Sequence, residues 1–251
     1  MKTEQERYTL ITGASSGIGR QTAIRLSESR RLVLHGRDIA RLEETKLMCH
    51  LPERHVTWSL DLKTVGLIEE SLKSLLKELR SGIECFVHCA GMLNIMPIRS
   101  AGCAVVEEIM NVNFVSAVEI IRLLVTKKIN EKSLHNIVFV SSTASRFGAR
   151  GFNLYCASKG ALDSFMRALA VELAPNIRVN SVLPGAVRTS MTDKMMTDPD
   201  LITSFAEQYP LGIGETSDVA SAIEFLVSEN ARWITGQELI VDGGRTVNIT
   251  A

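Results

Sequence analysis

Tyr155 and Lys159 stand four residues apart in Tyr155-Cys156-Ala157-Ser158-Lys159, at the head of a run of helical spacing that extends to Ala174. Residues at i and i+4 share one helix face, so the phenol and the ammonium point to the same side. A free phenol titrates near 10, too high for ready proton exchange at neutrality, and a nearby ammonium lowers that value by stabilising phenolate. The pair is therefore a candidate general acid/base. Taken alone, the spacing also describes a solvated helix face, but the preceding sequence favours chemistry. Val138-Phe139-Val140-Ser141-Ser142 reads as a buried strand ending in hydroxyls. Ser142 then emerges at the carboxyl edge of a sheet, where a hydroxyl can hold a substrate oxygen, with Ser141 as the alternative.

A second constellation binds rather than reacts. Tyr8-Thr9-Leu10-Ile11-Thr12 runs into Gly13-Ala14-Ser15-Ser16-Gly17-Ile18-Gly19, after which Arg20 to Ser29 has helical character. A strand feeding a glycine-rich turn and then a helix aims backbone N–H groups and the positive helix end at a pyrophosphate, and glycine permits its close approach. The next strand ends at His35-Gly36-Arg37. In such folds an acid at this point holds the ribose 2′-hydroxyl of NAD, whereas a neutral residue followed by Arg suits the 2′-phosphate of NADP. NADP(H) is the expected cofactor, with NAD(H) as the alternative. Arg20 could add charge from the first helix. Asp38 could neutralise Arg37 or cap the following helix.

Seven short apolar or β-branched runs supply the strands that must position these groups: Tyr8 to Thr12, Leu32 to His35, Val56 to Ser59, Cys85 to His88, Asn136 to Ser141, Arg178 to Leu183 and Glu238 to Val241. Stretches of helical periodicity separate them, such as Leu67, Ile68, Leu72, Leu75, Leu76 and Leu79. Alternating strand and helix predicts an α/β fold, a doubly wound seven-stranded parallel sheet of Rossmann type, as one domain over 1–251. Gly185 to Pro210 is the one long irregular stretch. Its Met191, Met195, Met196 and Phe205 suit either a substrate lid, at about 185–210, or an ordinary helical excursion.

Lys plus Arg and Asp plus Glu both number 28, so no net basic field draws nucleic acid or an anionic membrane. No apolar run approaches the roughly 18 residues of a membrane span, and Met1 to Arg7 is polar, which together predict a cytoplasmic protein. The five cysteines lack metal or redox spacing and are expected to be buried reduced thiols, with no metal site.

The ordered set of Gly13-x-x-x-Gly17-x-Gly19, Asp61, Asn113, Ser142, Tyr155-x-x-x-Lys159, Pro184-Gly185 and Val241-Asp242-Gly243-Gly244 resembles the short-chain dehydrogenase/reductase superfamily over nearly the whole chain. The pattern is closest to 3-oxoacyl-[acyl carrier protein] reductases. The resemblance implies a tetrad in which Ser142 orients the substrate oxygen and Tyr155 exchanges its proton. Lys159 would bind the nicotinamide ribose and depress the phenol, and Asn113 would hold a relay water. It further implies cofactor contacts at Ser15, Ser16 and Ile18, at Asp61 and Leu62 near adenine, at Ala90 and Gly91, and at Pro184, Gly185, Val187 and Thr189 towards the nicotinamide. A homotetramer or dimer is implied as well. Where the family usually has Asn-Ala-Gly, this chain has Cys89-Ala90-Gly91.

The expected function is NADPH-dependent reduction of a ketone, on a small molecule or a carrier-linked acyl group. For the latter, Lys127, Lys128 and Lys132 could form a basic patch by the site entrance, or merely a solvated helix end. An NAD(P)-dependent dehydrogenase oxidising a secondary alcohol, sugar or steroid is the alternative within enzymes. A non-catalytic NADPH-binding regulator is the alternative outside them, and the intact tetrad argues against it.

Overall fold

Seven parallel strands lie in the order β3-β2-β1-β4-β5-β6-β7 in the computed structural model, which describes residues 7–192 and 207–248. They are β1 (Tyr8–Thr12), β2 (Arg31–Gly36), β3 (Val56–Ser59), β4 (Ile83–His88), β5 (Asn136–Val140), β6 (Arg178–Pro184) and β7 (Glu238–Val241). The expected α/β fold and its strand count are as observed. Two strands begin earlier than their apolar runs, at Arg31 and Ile83, because Arg31 and Glu84 break the hydrophobic pattern without breaking the ladder. Glu84 is matched instead by Arg30 at 3.0 Å.

Alternate residues of each inner strand enter opposite cores, as a sheet covered on both faces requires. On β5, Ile137 and Phe139 join Leu10, Val33 and Phe86 in one core. Val138 and Val140 join Ile11, Leu34 and Val87 in the other. The first core is closed by α3 (Ile68–Leu79), α5 (Ser116–Val125) and α7 (Asn153–Glu172), through residues such as Leu72, Ile120 and Met166. The second is closed by α1 (Gly17–Leu26), α2 (Ile39–Met48) and α8 (Thr216–Val227), through Ala23, Leu42 and Ile223.

The strand order reverses between β1 and β4, where a crevice opens at the carboxyl edge of such sheets. Between α4 (Cys103–Met110) and α5, Asn111–Val115 forms a π-turn, the wider winding that often marks functional positions in helices. Most of the expected lid, 193–206, lies outside the described residues. Among the described residues no helix is long and apolar enough to cross a membrane.

The short helix α6 (Lys127–Asn130) sits at the other edge of the sheet. The Asn130 side chain accepts from the Ile83 N–H at 2.7 Å and donates to its carbonyl at 2.9 Å, at the amino end of β4. Lys127, Lys128 and Lys132 therefore lie at the end opposite the glycine turn and form no patch by a site entrance there. Of the cysteines, Cys49 and Cys85 are buried, Cys89 and Cys156 are partly exposed and Cys103 is exposed. Cys89, Cys156 and Cys103 thus depart from the expected buried thiols, Cys103 furthest because it opens α4 at the surface.

Candidate active site

The glycine turn is built for close backbone approach. Gly13 and Gly17 hold φ of 69° and 53°, in the left-handed region that favours glycine. At Gly19 a side chain would meet the Gly13 carbonyl oxygen at 2.2 Å, so the turn and the helix touch there without room for a Cβ. No side chain caps α1 at Ser16, which leaves first-turn N–H groups open to an anion. Gly19→Ala is accordingly expected to cost about 1–3 kcal/mol of stability by overpacking and to weaken dinucleotide binding. Thermal unfolding and fluorescence titration read the two effects, and an unchanged pair of values would refute the tight turn.

Gly13, Ser15, Ser16, Gly17, Ile18, Gly19, Arg37, Asp61, Leu62, Ala90, Gly91 and Thr189 all line one cleft of about 500 Å³. Val187 is buried two residues before Thr189 on the connection leaving β6. Pro184 ends β6, and the N–H of Gly185 donates to the Val241 carbonyl at 3.0 Å. The cleft also takes in His35, Arg41 and Met92, which sequence reasoning did not single out. Arg41 could have been found, since it follows Arg37 by four residues at the start of α2.

Arg20 and Asp38 resolve differently from one another. Arg20 donates to the Ser15 carbonyl at 2.8 Å and to Thr45 Oγ1 at 3.0 Å, and pairs with Glu44 at 3.3 Å. It holds α2 against the glycine turn, and its charge is spent within the protein. Asp38 caps α2 by accepting from the Arg41 N–H at 3.2 Å.

Asn113, Ser142, Tyr155 and Lys159 do not themselves line this cleft, and Gly91 joins it to two of them. A Cβ placed on Gly91 would stand 3.4 Å from Lys159 Nζ and 3.6 Å from Asn113 Oδ1, so the cleft wall adjoins both. Lys159 is buried, donates to the Val140 carbonyl at 2.8 Å, and has its Nζ 5.8 Å from the centre of the Tyr155 ring. The Ser142 hydroxyl lies close enough to the Tyr155 phenol to favour its anion, and it accepts from the Ala144 N–H at 3.1 Å. Ser141, the alternative hydroxyl, turns inward and bonds Asp163 at 2.9 Å. Ser142 is thus the hydroxyl left beside the phenol.

Asn113 is buried in the π-turn, and its side chain makes three hydrogen bonds. Its Oδ1 accepts from the Met92 N–H at 2.8 Å, and its Nδ2 donates to the Met92 carbonyl at 3.0 Å and to Ser158 at 2.9 Å. The amide clamps the segment that follows Gly91.

The electrostatics differ from expectation at the tyrosine. Burial pushes the Tyr155 phenol above its ordinary 10, opposed by the Ser142 hydroxyl, and the nearby Lys159 ammonium does not bring it below that value. The ammonium is instead directed at the Val140 carbonyl. Burial lowers Lys159 to about 8, with Asp163 the largest opposing influence and Cys89 the next. At neutral pH the phenol holds its proton and the lysine its charge.

Cys89 is pushed up to about 12 by burial, which makes it an inert thiol rather than a nucleophile. The junction it occupies is tied by other groups. Thr12 Oγ1 accepts from the Ala90 N–H at 3.2 Å and lies 2.9 Å from Nδ1 of the fully buried His88.

The family described as enoyl-(acyl carrier protein) reductase matches residues 13–246. D-erythrulose reductase of Gallus gallus is 32% identical over 96% of each chain. A short-chain dehydrogenase/reductase of Brucella melitensis described as a glucose/ribitol dehydrogenase superposes with a TM-score of 0.85 at 33% identity, over 98% of this chain and 99% of that one. Carveol dehydrogenase of Mycobacterium avium, solved in complex with NAD, superposes at 0.87 with 25% identity over 96% and 98%. With the glycine turn, the Ser142–Tyr155–Lys159 cluster and the seven-stranded sheet all in place, this chain belongs to the short-chain dehydrogenase/reductase superfamily of oxidoreductases, which act on alcohol and carbonyl groups.

Proposed function

We propose that this protein is an NADPH-dependent reductase that converts a ketone or 3-oxo group to a secondary alcohol, with Tyr155 as the general acid. The observation that carries this is the protonated phenol of Tyr155, beside the Ser142 hydroxyl and one helical turn from an ammonium that adjoins the cleft at Gly91. The fit to a dinucleotide rests on the uncapped first turn of α1 and on the missing Cβ at Gly13 and Gly19. Gly13, Ser15, Ser16, Gly17, Ile18 and Gly19 would hold the pyrophosphate. Asp61 and Leu62 would border adenine, Ala90 and Gly91 the middle of the cofactor, and Pro184, Gly185, Val187 and Thr189 the nicotinamide. NADPH, when bound, supplies the hydride.

The protein's own groups do the rest. Ser142 orients the substrate oxygen, and Tyr155 delivers its proton as negative charge develops there. Lys159 holds the ribose side of the cleft with its ammonium and favours the negative charge left on the phenol after transfer. Asn113 keeps Met92 and Gly91 fixed against Lys159, which preserves the spacing of the two ends.

Preference for NADP(H) follows from Gly36, which adds no carboxylate at the strand end, and from Arg37 and Arg41 on a wall whose Asp38 is engaged in capping α2. A charge-assisted bond worth roughly 1.5–3 kcal/mol makes NADPH about 10- to 100-fold tighter than NADH. Arg37→Ala is expected to remove most of that ratio, measured by fluorescence titration. Equal affinities in the unmodified protein would leave NAD(H) as the cofactor.

The substrate test is NADPH oxidation across acyl thioesters, ketoses, quinones and small ketones. Ketoses belong in the panel because D-erythrulose reductase is among the relatives. Turnover of any one of these supports the reading. Tight NADPH binding with no turnover across the panel would favour a cofactor-binding regulator. A cytoplasmic location and a homo-oligomer accompany the proposal. The 97% exposed Trp233, shortly before edge strand β7, offers an apolar contact for the latter.

A further inference from the structure

Beside the tetrad lies a buried carboxylate that the mechanism above does not use. Asp163 is 3% exposed on α7, one helical turn beyond Lys159. Its Oδ2 accepts from Ser141 Oγ at 2.9 Å, and Ser141 directly follows Val140, whose carbonyl receives the Lys159 ammonium at 2.8 Å. Its second oxygen, Oδ1, is buried without a well-aligned hydrogen-bond partner, as are the hydroxyls of Ser145 and Ser181 around it. Taking a carboxylate out of water with one oxygen incompletely satisfied is costly, and a neutral amide could accept the same Ser141 bond for less. A charge kept at such a position requires a use, and Lys159 supplies it.

We propose that Asp163 is a positioning residue for the reduction: its buried negative charge keeps Lys159 an ammonium, and its bond to Ser141 fixes the strand end that holds that ammonium and carries Ser142. This rests on the reading of Lys159 as a charged partner of Tyr155 and the cofactor. The groups that bear on Lys159 are Asp163 and Tyr155 from its own helix and His88 and Cys89 from the end of β4. Of these only Asp163 is a full charge of opposite sign. Desolvation pulls the lysine down to about 8, and the Asp163 carboxylate is the main opposing influence. Burial pushes the Asp163 carboxyl above the ordinary carboxylate range, opposed by the hydroxyls of Ser145, Ser141 and Ser181. Attraction between opposite charges is mutual, so the ammonium that Asp163 favours acts in the same direction as those hydroxyls. Glu238 faces Asp163 from β7, but its carboxylate is itself paired with Arg146 and Arg167.

The test is the titration of the Lys159 ammonium in the cofactor-free protein, followed by ¹⁵N NMR in unmodified and Asp163→Asn proteins. The NADPH dissociation constant is measured against pH in parallel. Asp163→Asn keeps an acceptor for Ser141 but removes the charge. The Lys159 titration is expected to move down by about one pH unit or more, and the alkaline loss of NADPH affinity with it. Asp163→Glu is expected to restore both in part. Should Asp163→Asn not fold, Ser141→Ala removes the donor that favours the anion, and a smaller shift of the same sign is expected. Titrations that coincide with the unmodified protein in whichever variant folds would overturn the proposal. Because the NMR reading needs neither cofactor nor turnover, it stands or falls separately from the proposed reduction.

Discussion

Tyr155→Phe is expected to lower turnover of a reducible ketone by about 10²- to 10⁴-fold while NADPH affinity changes little, because the ring and its packing stay and only the transferable proton is lost. The phenol meets Ser142, packs edge-on against Phe152 at 6.2 Å between ring centres, and lies near Lys159. A phenyl ring can keep the aromatic contact. Lys159→Ala, by contrast, is expected to lose turnover and cofactor affinity together, since its ammonium adjoins the cleft wall at Gly91. The pH dependence separates the two groups. Tyr155 is pushed above 10 in the free protein, so its proton is retained across the neutral and mildly alkaline range. Lys159, lowered to about 8, loses its charge first. Reduction should therefore decline as pH rises through about 8, and NADPH affinity should decline with it. Steady-state kinetics with a confirmed substrate, together with NADPH titration of both variants, checks this. Near-normal turnover in Tyr155→Phe would remove the tyrosine from the proton path while leaving the fold assignment intact.

The path from sequence to this site was short where periodicity and backbone constraint act locally. The glycine turn was legible because Gly13, Gly17 and Gly19 meet backbone demands that few other residues satisfy. The strands were legible because both faces of the sheet are covered, which forces continuous apolar runs. The placement of Tyr155 and Lys159 on one helix followed from their spacing. What the spacing could not show is where a flexible lysine sends its ammonium. Four methylenes let Nζ choose between the phenol and the Val140 carbonyl, and that choice depends on a strand from another part of the chain. The same limit applies to Arg20, whose guanidinium is claimed by Ser15, Thr45 and Glu44 once α2 packs beside it. The lysines of α6 show a third case. Composition gives their charge, but only the Asn130 clamp on Ile83 places them at the amino edge of the sheet. Asp163 escaped notice because an acid on a helix ordinarily reads as a solvated residue, and its burial appears only when β5 and β6 close over it.

Acid should unfold this protein steeply, and two buried histidines are the reason. His35 on β2 and His88 on β4 flank Thr12 across the row that ends β1, with His88 paired to Thr12 in the ladder and by a 2.9 Å side-chain contact. His35 packs against Trp58 with ring centres 4.6 Å apart and the planes tilted by 59°, and neither of its ring nitrogens has a well-aligned hydrogen-bond partner. Burial lowers it to about 4, and the pull of the Leu60 backbone and of Asp61 does not offset that. His88 falls to about 3, chiefly through burial and then through the nearby Lys159 charge, against the draw of the Asn113 backbone. Both values lie below the roughly 6.5 of an unfolded histidine, so the unfolded chain binds more protons between the two. Stability is therefore full above about pH 6.5 and drains away as pH falls towards 4 and then 3. At pH 4.5 each histidine removes roughly 2–3 kcal/mol, and the pair roughly 5 kcal/mol, a large share of the margin of an ordinary domain. Urea unfolding of the unmodified protein at pH 7 and pH 4.5 measures the total loss. His35→Val and His88→Asn each remove one such group and are expected to reduce the difference between the two pH values by about half of the pair's share. Carboxylates elsewhere titrate alike in all three proteins, so the comparison isolates the imidazoles. If both variants lose as much stability on acidification as the parent, the histidines take up protons in the folded state as readily as in the unfolded one, and the acid sensitivity must come from other groups.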